Sequence, residues 1–368
     1  MVIQVGVYVH FPWCRKVCPY CDFAVETGAP DHDAYLTAIL AELAARADRF
    51  PGELVSIYFG GGTPSLWRAD CLAAVIAAVR TRYAAIGTLE VTLETNPTDC
   101  QPAQLAAWQA AGINRLSIGV QSLAADELVV LGRDHRFGDG PAALARVLAT
   151  GGFATSCDFI LGTPTGGRYD TSWIEAIAAT SVDHLSVYEL TIEERTAFGQ
   201  RVRDGRLVPR DEDTLAELYE TTHAALAAKG FEHYEISSYA RAGKRAVHNS
   251  LYWRGQPFLG LGVGAASLAL APDGTGERAT NPRRAAAYIA APGQPAAVVT
   301  SSAAEMAIDR AWLGMRTRDG VAEEDVPGAV VAWLIEQGLA ERAGLRISPT
   351  LRGFLMADRI AARISEAM

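Results

Sequence analysis

The chain has 368 residues, of which 49% are hydrophobic and 20% charged, and its formal net charge is −9. This composition is that of a globular protein with one main core and a smaller second one, since single cores stop growing at about 250–300 residues. The acidic balance gives no support to a nucleic-acid partner. The opening MVIQVGVYVHF lacks the features of a secretory signal, and no run reads as a membrane-spanning helix. We therefore expect a cytoplasmic protein with reduced cysteines, and leave peripheral membrane contact open.

Six apolar, β-rich runs in the first 240 residues are each followed by a helical pattern. The runs are VGVYVHF, LVSIYFGGG, LEVTLETN, RLSIGVQS, TSCDFILGTP and HLSVYELT. Helices are predicted at 31–49, 65–83, 102–111, 169–180 and 211–229. A further helical segment follows the fourth run and extends to residue 150, with a break near residue 138. Apolar strands that alternate with helices predict a parallel sheet covered by helices. Both a doubly wound sheet and a barrel open on one side fit, and both place functional residues at the carboxyl ends of the strands.

The pattern changes after residue 240. Residues 241–295 are predicted to form loop, strand and glycine-rich turn, and the Pro- and Gly-rich segment 290–298 is predicted to be a boundary. Residues 300–368 have the pattern of a small helical domain, with a helix, a short hairpin and another helix. The predicted divisions are therefore 1–240, 241–295 and 300–368.

Three cysteines near the start of the chain, Cys14, Cys18 and Cys21, have the spacing C-x3-C-x2-C. An iron–sulfur cluster, a zinc ion or simple burial could explain them. Structural zinc usually takes four ligands in two pairs, and no second pair is present. A [4Fe–4S] cluster held by three thiolates would keep one iron open for a ligand. Arg15 and Lys16 favour thiolates over inert burial, so the cluster is the preferred interpretation.

The chain resembles a known family in the motifs around these cysteines. YVHFPWC precedes the cysteine loop, FGGGTPS follows the second strand and NRLSIGVQS covers the fourth. In these motifs the chain is similar to the radical S-adenosylmethionine (SAM) enzymes, and specifically to the branch with oxygen-independent coproporphyrinogen III dehydrogenase and the HemW-type heme chaperones. The resemblance covers nearly the whole chain. It implies a partial (β/α)6 TIM-like barrel with a small C-terminal helical domain.

The same resemblance implies the cofactors. Cys14, Cys18 and Cys21 would hold three irons of a [4Fe–4S] cluster, and the amino and carboxylate groups of SAM would chelate the fourth. A donor such as flavodoxin or ferredoxin would supply electrons. The aromatic and proline residues around the cysteines would shield the cluster from water.

By resemblance, five residues would surround the methionine end of SAM. Tyr8 would lie against the region between methionine and cluster. Gly61, Gly62 and Thr63 would approach the methionine amino group, because glycine permits close backbone contact. Glu94 would face the positive sulfonium and amino groups.

Four further residues would hold the rest of SAM. Tyr20 would flank the adenine, while Gln121 and Arg133 would contact the ribose and the carboxylate. Asp158 would bind the ribose hydroxyls or a neighbouring group. A structural ion pair between Arg133 and Asp158 is the alternative for those two.

Two features separate heme handling from catalysis on a porphyrinogen. Phe23 stands where the dehydrogenases carry a fourth cysteine. HNSLYW matches the chaperone motif H-N-x-x-Y-W through His248, Asn249, Tyr252 and Trp253. A histidine can bind heme iron, and aromatic rings can flank a macrocycle. The resemblance therefore implies heme binding and transfer to a heme-accepting protein, with no catalytic residue assigned.

One departure and two rival functions stay open. Ala266 stands where the chaperone branch commonly has histidine. The rivals are oxidative decarboxylation of coproporphyrinogen III and a related radical reaction such as methyl transfer.

Overall fold

Strands and helices alternate along the first part of the chain in the computed structural model, which describes residues 3–165 and 171–368. The strands are β1 (Gln4–Phe11), β2 (Trp13–Cys14), β3 (Glu26–Thr27), β4 (Glu53–Gly61), β5 (Ala85–Thr95), β6 (Arg115–Gln121), β7 (Ala154–Leu161), β8 (His184–Glu189), β9 (Glu232–Glu235), β10 (Ser238–Ala240), β11 (Phe258–Gly262), β12 (Ala266–Leu270), β13 (Gly276–Thr280), β14 (Ala297–Ser301), β15 (Val321–Ala322), β16 (Ala340–Ala343) and β17 (Arg346–Pro349). The helices are α1 (His32–Arg46), α2 (Ala69–Arg82), α3 (Pro102–Ala111), α4 (Ala125–Val130), α5 (Asp139–Thr150), α6 (Ser172–Ala178), α7 (Ala197–Arg203), α8 (Glu212–Ala228), α9 (Val247–Trp253), α10 (Ala285–Ala290), α11 (Ala303–Gly314), α12 (Gly328–Glu336), α13 (Leu351–Leu355) and α14 (Ala357–Ala367). Part of the predicted helix at 169–180 lies outside the described residues.

Twelve of the described strands form one sheet in the order β14-β13-β12-β11-β1-β4-β5-β6-β7-β8-β10-β9, while β15, β17 and β16 form a small second sheet and β2 pairs with β3. The strands from β11 to β8 in this order are parallel, and the strands beyond them on both sides are antiparallel. The six predicted strands lie side by side in chain order, which is the order of a barrel rather than of a doubly wound sheet. Because β14 and β9 are edges, the sheet stays open. The predicted α/β fold with a partial barrel is confirmed.

The two faces of β1 show how the sheet separates core from site. Val5, Val7 and Val9 have no exposed surface and pack in the main hydrophobic core. Alternate side chains point to the opposite side of a strand. Tyr8 and His10 therefore face the inside of the curved sheet, where the polar residues of the neighbouring strands also lie.

Helix α9 replaces the loop that was predicted after residue 240. Its first amides are bound by a carboxylate on β5: Val247 N donates to Glu90 Oε2 at 3.0 Å, and His248 N donates to Glu90 Oε1 at 2.9 Å. This carboxylate satisfies amides that a helix start would otherwise leave without partners. The partner is 157 residues away in the chain, so the local pattern could not indicate the helix.

The C-terminal part contains the predicted helix, hairpin and helix as α12, β16–β17 and α13–α14. It has a second hydrophobic core around Val331, Leu334, Ile347 and Ile360. Strand β14, beside the predicted boundary, pairs with β13 in the large sheet. The three-way division of the chain stays a prediction. In the described ranges, every helix is too short or too polar to cross a bilayer.

A buried ion pair within α1 links this helix, through further hydrogen bonds, to residues of β11, α10 and the segment after β13. Arg46 Nη1 donates to Glu42 Oε1 at 2.6 Å, and both side chains are almost fully buried. Glu42 also accepts from Asn281 Nδ2 at 2.7 Å, Gly262 N at 2.9 Å and the Tyr288 hydroxyl at 2.7 Å. With its hydrogen bonds satisfied, this network fixes α1 against the sheet.

Candidate functional site

The three cysteines lie on a loop whose two ends are held together. Strands β2 and β3 pair, with Trp13 opposite Glu26 and Cys14 opposite Thr27. Within the loop, Cys21 N donates to the carbonyl of Cys18 at 3.1 Å. All three thiols are free and half-buried, and they line one cavity.

The surroundings of the thiols act on their ionisation in opposite directions. Burial raises the pKa of Cys14 and Cys21, while the Thr63 hydroxyl hydrogen bonds to Cys14 and opposes the rise. Arg133 Nη1 lies 3.5 Å from Cys18 Sγ and brings a positive charge. Nowhere in residues 3–165 and 171–368 do three His, Cys, Asp or Glu side chains converge on a single metal ion.

The cavity beside this loop has a volume of about 340 Å³ and lies at the carboxyl ends of β4 to β8. This is the edge at which the sequence predicts a shared site. Besides the cysteines, the cavity is lined by eight of the nine residues assigned to SAM: Tyr20, Gly61, Gly62, Thr63, Glu94, Gln121, Arg133 and Asp158. Phe23 also lines it, with 65% of its surface exposed.

Two glycines let the backbone after β4 approach the cysteine loop. A Cβ on Gly62 would lie 2.7 Å from the carbonyl oxygen of Pro12 and 3.0 Å from Cys14 Sγ. Gly61 has φ +111°, and a Cβ there would lie 2.6 Å from the His10 ring. Any larger residue would push this backbone away from the thiols.

Glu94 is a carboxylate inside the barrel whose hydrogen bonds in the described structure come from neutral groups. It accepts from the Tyr58 hydroxyl at 2.7 Å and from Gly61 N at 3.1 Å. Burial raises its pKa to about 7. A nearby cation would lower the pKa of such a carboxyl group, because the cation stabilises the ionised form. The methionine end of SAM offers such a cation.

Asp158 is another carboxylate that lines the cavity. Both of its oxygens accept from the Ser117 hydroxyl at 2.9 Å, and burial raises its pKa to about 6. Among the described residues no ion pair joins it to Arg133, which instead donates to Asn96 Oδ1 at 2.6 Å. The structure therefore does not contain the alternative, a structural ion pair between Arg133 and Asp158.

Backbone strain marks the end of β6. Gln121 has φ +66°, the one positive φ at a non-glycine residue in the described ranges. Such a backbone costs free energy and persists where its surroundings hold it. A Cβ on Gly119 would lie 2.8 Å from Gln121 Nε2 and 3.3 Å from Arg133 Nη2. The missing side chain of Gly119 thus makes room for both polar side chains.

Tyr8 is the one residue assigned to SAM that does not line this cavity. Its ring stacks on that of Tyr58, with centroids 6.0 Å apart, and its hydroxyl lies 3.1 Å from His10 Nδ1. Tyr8 instead lines a second cavity. Its predicted contact with SAM stays a prediction.

The H-N-x-x-Y-W motif lies on α9, away from the cysteine loop. His248 is 1% exposed, its Nδ1 lies 2.8 Å from Ser56 Oγ, and its Nε2 lies 2.7 Å from the Tyr252 hydroxyl. Burial lowers its pKa to about 3, so the imidazole is neutral. Both ring nitrogens are thus occupied, and heme ligation by His248 would require one of these hydrogen bonds to break.

Trp253 and Asn249 are the other two members of the motif. The Trp253 side chain hydrogen bonds to Glu235, and Asn249 is half-buried. Neither residue lines the cavity with the cysteines. The motif therefore does not join the site assigned to SAM.

The sequence analysis did not assign several other residues that line the first cavity. Four of them are Tyr58, Asn96, Ser117 and Gly119. Asn96 lies two positions after Glu94, and Ser117 and Gly119 lie four and two positions before Gln121. Because alternate residues of a strand share a face, a period of two counted from the predicted residues could have found these three.

Comparisons with known proteins identify the family. The model of the Radical SAM superfamily matches residues 8–187. The heme chaperone HemW of Mycobacterium tuberculosis (strain H37Rv) is 35% identical, over 96% of this chain and 93% of its own length. HemW of Escherichia coli (strain K12) is 37% identical, over 76% and 74%. The structure of coproporphyrinogen III oxidase (HemN) from Escherichia coli covers 100% of this chain and 91% of its own, with a TM-score of 0.81 and 20% identity, and shows the shared fold. The chain therefore belongs to the HemW family of the radical SAM superfamily, whose proteins are characterised by a [4Fe–4S] cluster and SAM.

Proposed function

We propose that this protein is a heme chaperone: it binds heme and passes it to an acceptor protein, and it carries a [4Fe–4S] cluster with SAM. The observation that carries the proposal is the match to relatives named heme chaperone HemW over nearly the full length of both chains. Phe23 agrees with it, because the dehydrogenases of the branch carry a cysteine at this place.

The residues of the cavity fit both cofactors. Cys14, Cys18 and Cys21 would hold the cluster, and Arg133 would reduce the repulsion between their thiolates. Glu94 would orient the cationic end of SAM. Bound together, the cluster and SAM supply reductive cleavage of the sulfonium.

The electron donor would approach from the cysteine loop. Lys16 and Val17 are exposed there, next to half-buried Cys18. A small acidic donor such as flavodoxin or ferredoxin would suit this surface, since opposite charges steer association.

A hemin titration of the protein with reconstituted cluster tests heme binding. We expect one heme per chain, seen as a shifted Soret band. Binding no stronger than that of a control protein without a heme site, such as lysozyme, would refute the chaperone proposal.

Heme transfer needs a separate measurement. Passive loss of heme gives a rate that does not depend on the acceptor, whereas transfer within a complex gives a rate that rises with acceptor concentration. We expect the second behaviour with a heme-free hemoprotein from the same cell.

The rival enzyme is tested by supplying SAM, a strong reductant and coproporphyrinogen III under anaerobic conditions. We expect no protoporphyrinogen, with the E. coli HemN protein as the positive control. Robust turnover would make the chain an oxidase of this branch.

A further inference from the structure

The two edges of the large sheet differ in how their main-chain groups are satisfied. At β9 the segment after α11 continues the hydrogen bonding: Ile236 N donates to the carbonyl of Arg316 at 3.0 Å, and Arg318 N donates to the carbonyl of Tyr234 at 2.9 Å. At the opposite edge, β14 has β13 as its one neighbour among the described strands. The main-chain groups on the outer side of β14 therefore lack a strand partner in the part of the chain that the structure describes.

Strand β14 also lacks the features that usually protect such an edge. Its sequence AVVTS contains no charged residue and no proline, and its pairing with β13 has no register shift. Natural sheets discourage pairing at an edge with lysine, proline or a bulge. Val298 is 50% exposed and Val299 is 60% exposed. These two side chains point to opposite faces of the strand, so both faces present apolar surface.

The absence of charge extends beyond the strand in both directions along the chain. Residues 285–304 include no Asp, Glu, Lys, Arg or His, although 20% of the whole chain is charged. The stretch is nevertheless at the surface, since residues 296–300 and 302–304 are all exposed. A surface that meets only water normally carries charged side chains, whereas the core of a protein interface is depleted of them.

We propose that β14 pairs with β14 of a second copy of this chain, antiparallel and about a two-fold axis, so that the two sheets become one. An open edge accepts another strand through main-chain hydrogen bonds, and a two-fold interface requires a surface that is complementary to itself. When the two five-residue strands overlap fully, the axis passes Val299, and Val298 lies opposite Thr300 of the second copy. Such β-branched pairs stabilise antiparallel strands, and no like charges face each other.

Charge favours a second copy over a different protein as the occupant of this edge. Each chain has a formal net charge of −9, so two copies repel each other wherever their acidic side chains meet. The uncharged strip is a surface on which two copies can approach without that repulsion. A different protein is usually selected by charges complementary to its own, and residues 285–304 offer none.

Sedimentation equilibrium of the full chain with reconstituted cluster measures this association. We expect a reversible pair with twice the chain mass of 39.3 kDa. Because repulsion between two acidic copies opposes the pair, its dissociation constant should fall as salt is added. A pair held by opposite charges would instead dissociate at high salt, since salt screens the attraction. Heme has no part in this association, so the result does not depend on the proposed function.

Two lysine substitutions at exposed valines locate the interface. Val299→Lys brings two like charges together at the axis and should weaken the association at least about tenfold. Val208→Lys is the matched control, because Val208 is 79% exposed and lies between α7 and α8. It changes the net charge by the same amount and should leave the association at the wild-type strength. Iron content and the free energy of unfolding check that each variant is intact.

Three results would overturn the proposal. The first is a wild type that stays monomeric up to about 100 μM, which excludes a dissociation constant below that order. The second is a pair that Val299→Lys leaves as strong as the wild type, because the copies then associate through another surface. The third is a monomeric chain whose amides at 297–301 become protected from hydrogen exchange by a different protein, which would make that protein the occupant of the edge.

Discussion

The pH dependence of SAM binding should depend on Glu94. Its pKa is raised to about 7 in the ligand-free protein, and a bound cation favours the ionised form. Binding is therefore strong above pH 7 and is lost as the pH falls through this value. From pH 8 to pH 6 the cost of ionising Glu94 weakens SAM binding about tenfold, or about 1.4 kcal/mol. Protonation of Asp158, which has a pKa of about 6, weakens SAM binding by a further factor of about two over the same pH range.

The assay is equilibrium binding of SAM to anaerobically reconstituted protein between pH 6 and pH 8. In Glu94→Gln the tenfold loss of SAM affinity between pH 8 and pH 6 should vanish. The free energy of SAM binding at pH 8 should become less favourable by about 1.5–3 kcal/mol, because a charged hydrogen-bond partner is lost. The amino group of SAM titrates with both proteins, so its effect cancels in the comparison. Equal pH slopes for wild type and Glu94→Gln would refute the reasoning.

Three further changes test other parts of the structure. Tyr58→Phe removes a hydrogen bond that lowers the pKa of Glu94, so the loss of SAM binding should begin at a higher pH in the same titration. Cys14→Ser should prevent assembly of a stable four-iron cluster, whereas Cys71→Ala, at a buried free cysteine outside the site, should keep the wild-type iron content. Glu42→Ala leaves a buried arginine without its partner and should lower the free energy of unfolding by about 3–5 kcal/mol. Glu277→Ala breaks a partly exposed pair with another arginine and should cost at most about 1 kcal/mol in the same denaturation experiment.

The parallel sheet and the edge that carries the site could be read from the sequence, whereas the strand pattern alone left the order of the strands open between a barrel and a doubly wound sheet. Apolar strands that alternate with helices specify a parallel sheet, and polar residues after each strand must then meet at one edge. This reasoning brought Glu94, Gln121 and Asp158 together correctly, although they are far apart in the chain.

The features that the sequence did not predict depend on contacts between segments that are distant in the chain. Helix α9 begins on the carboxylate of Glu90, and His248 is enclosed by Ser56 and Tyr252. The motif that contains His248 shows only that the residue types are present. Whether a ring nitrogen faces a ligand or a neighbouring hydroxyl is decided by packing, which has no local pattern.

The pairing of β2 with β3 has a consequence for how the protein matures. Because Trp13 and Cys14 are hydrogen bonded to the far end of their loop by main-chain groups, the polypeptide alone closes the loop. Small zinc modules, by contrast, fold only around their ion. The two ends of the loop should therefore stay paired in a variant that lacks one of the cysteine ligands.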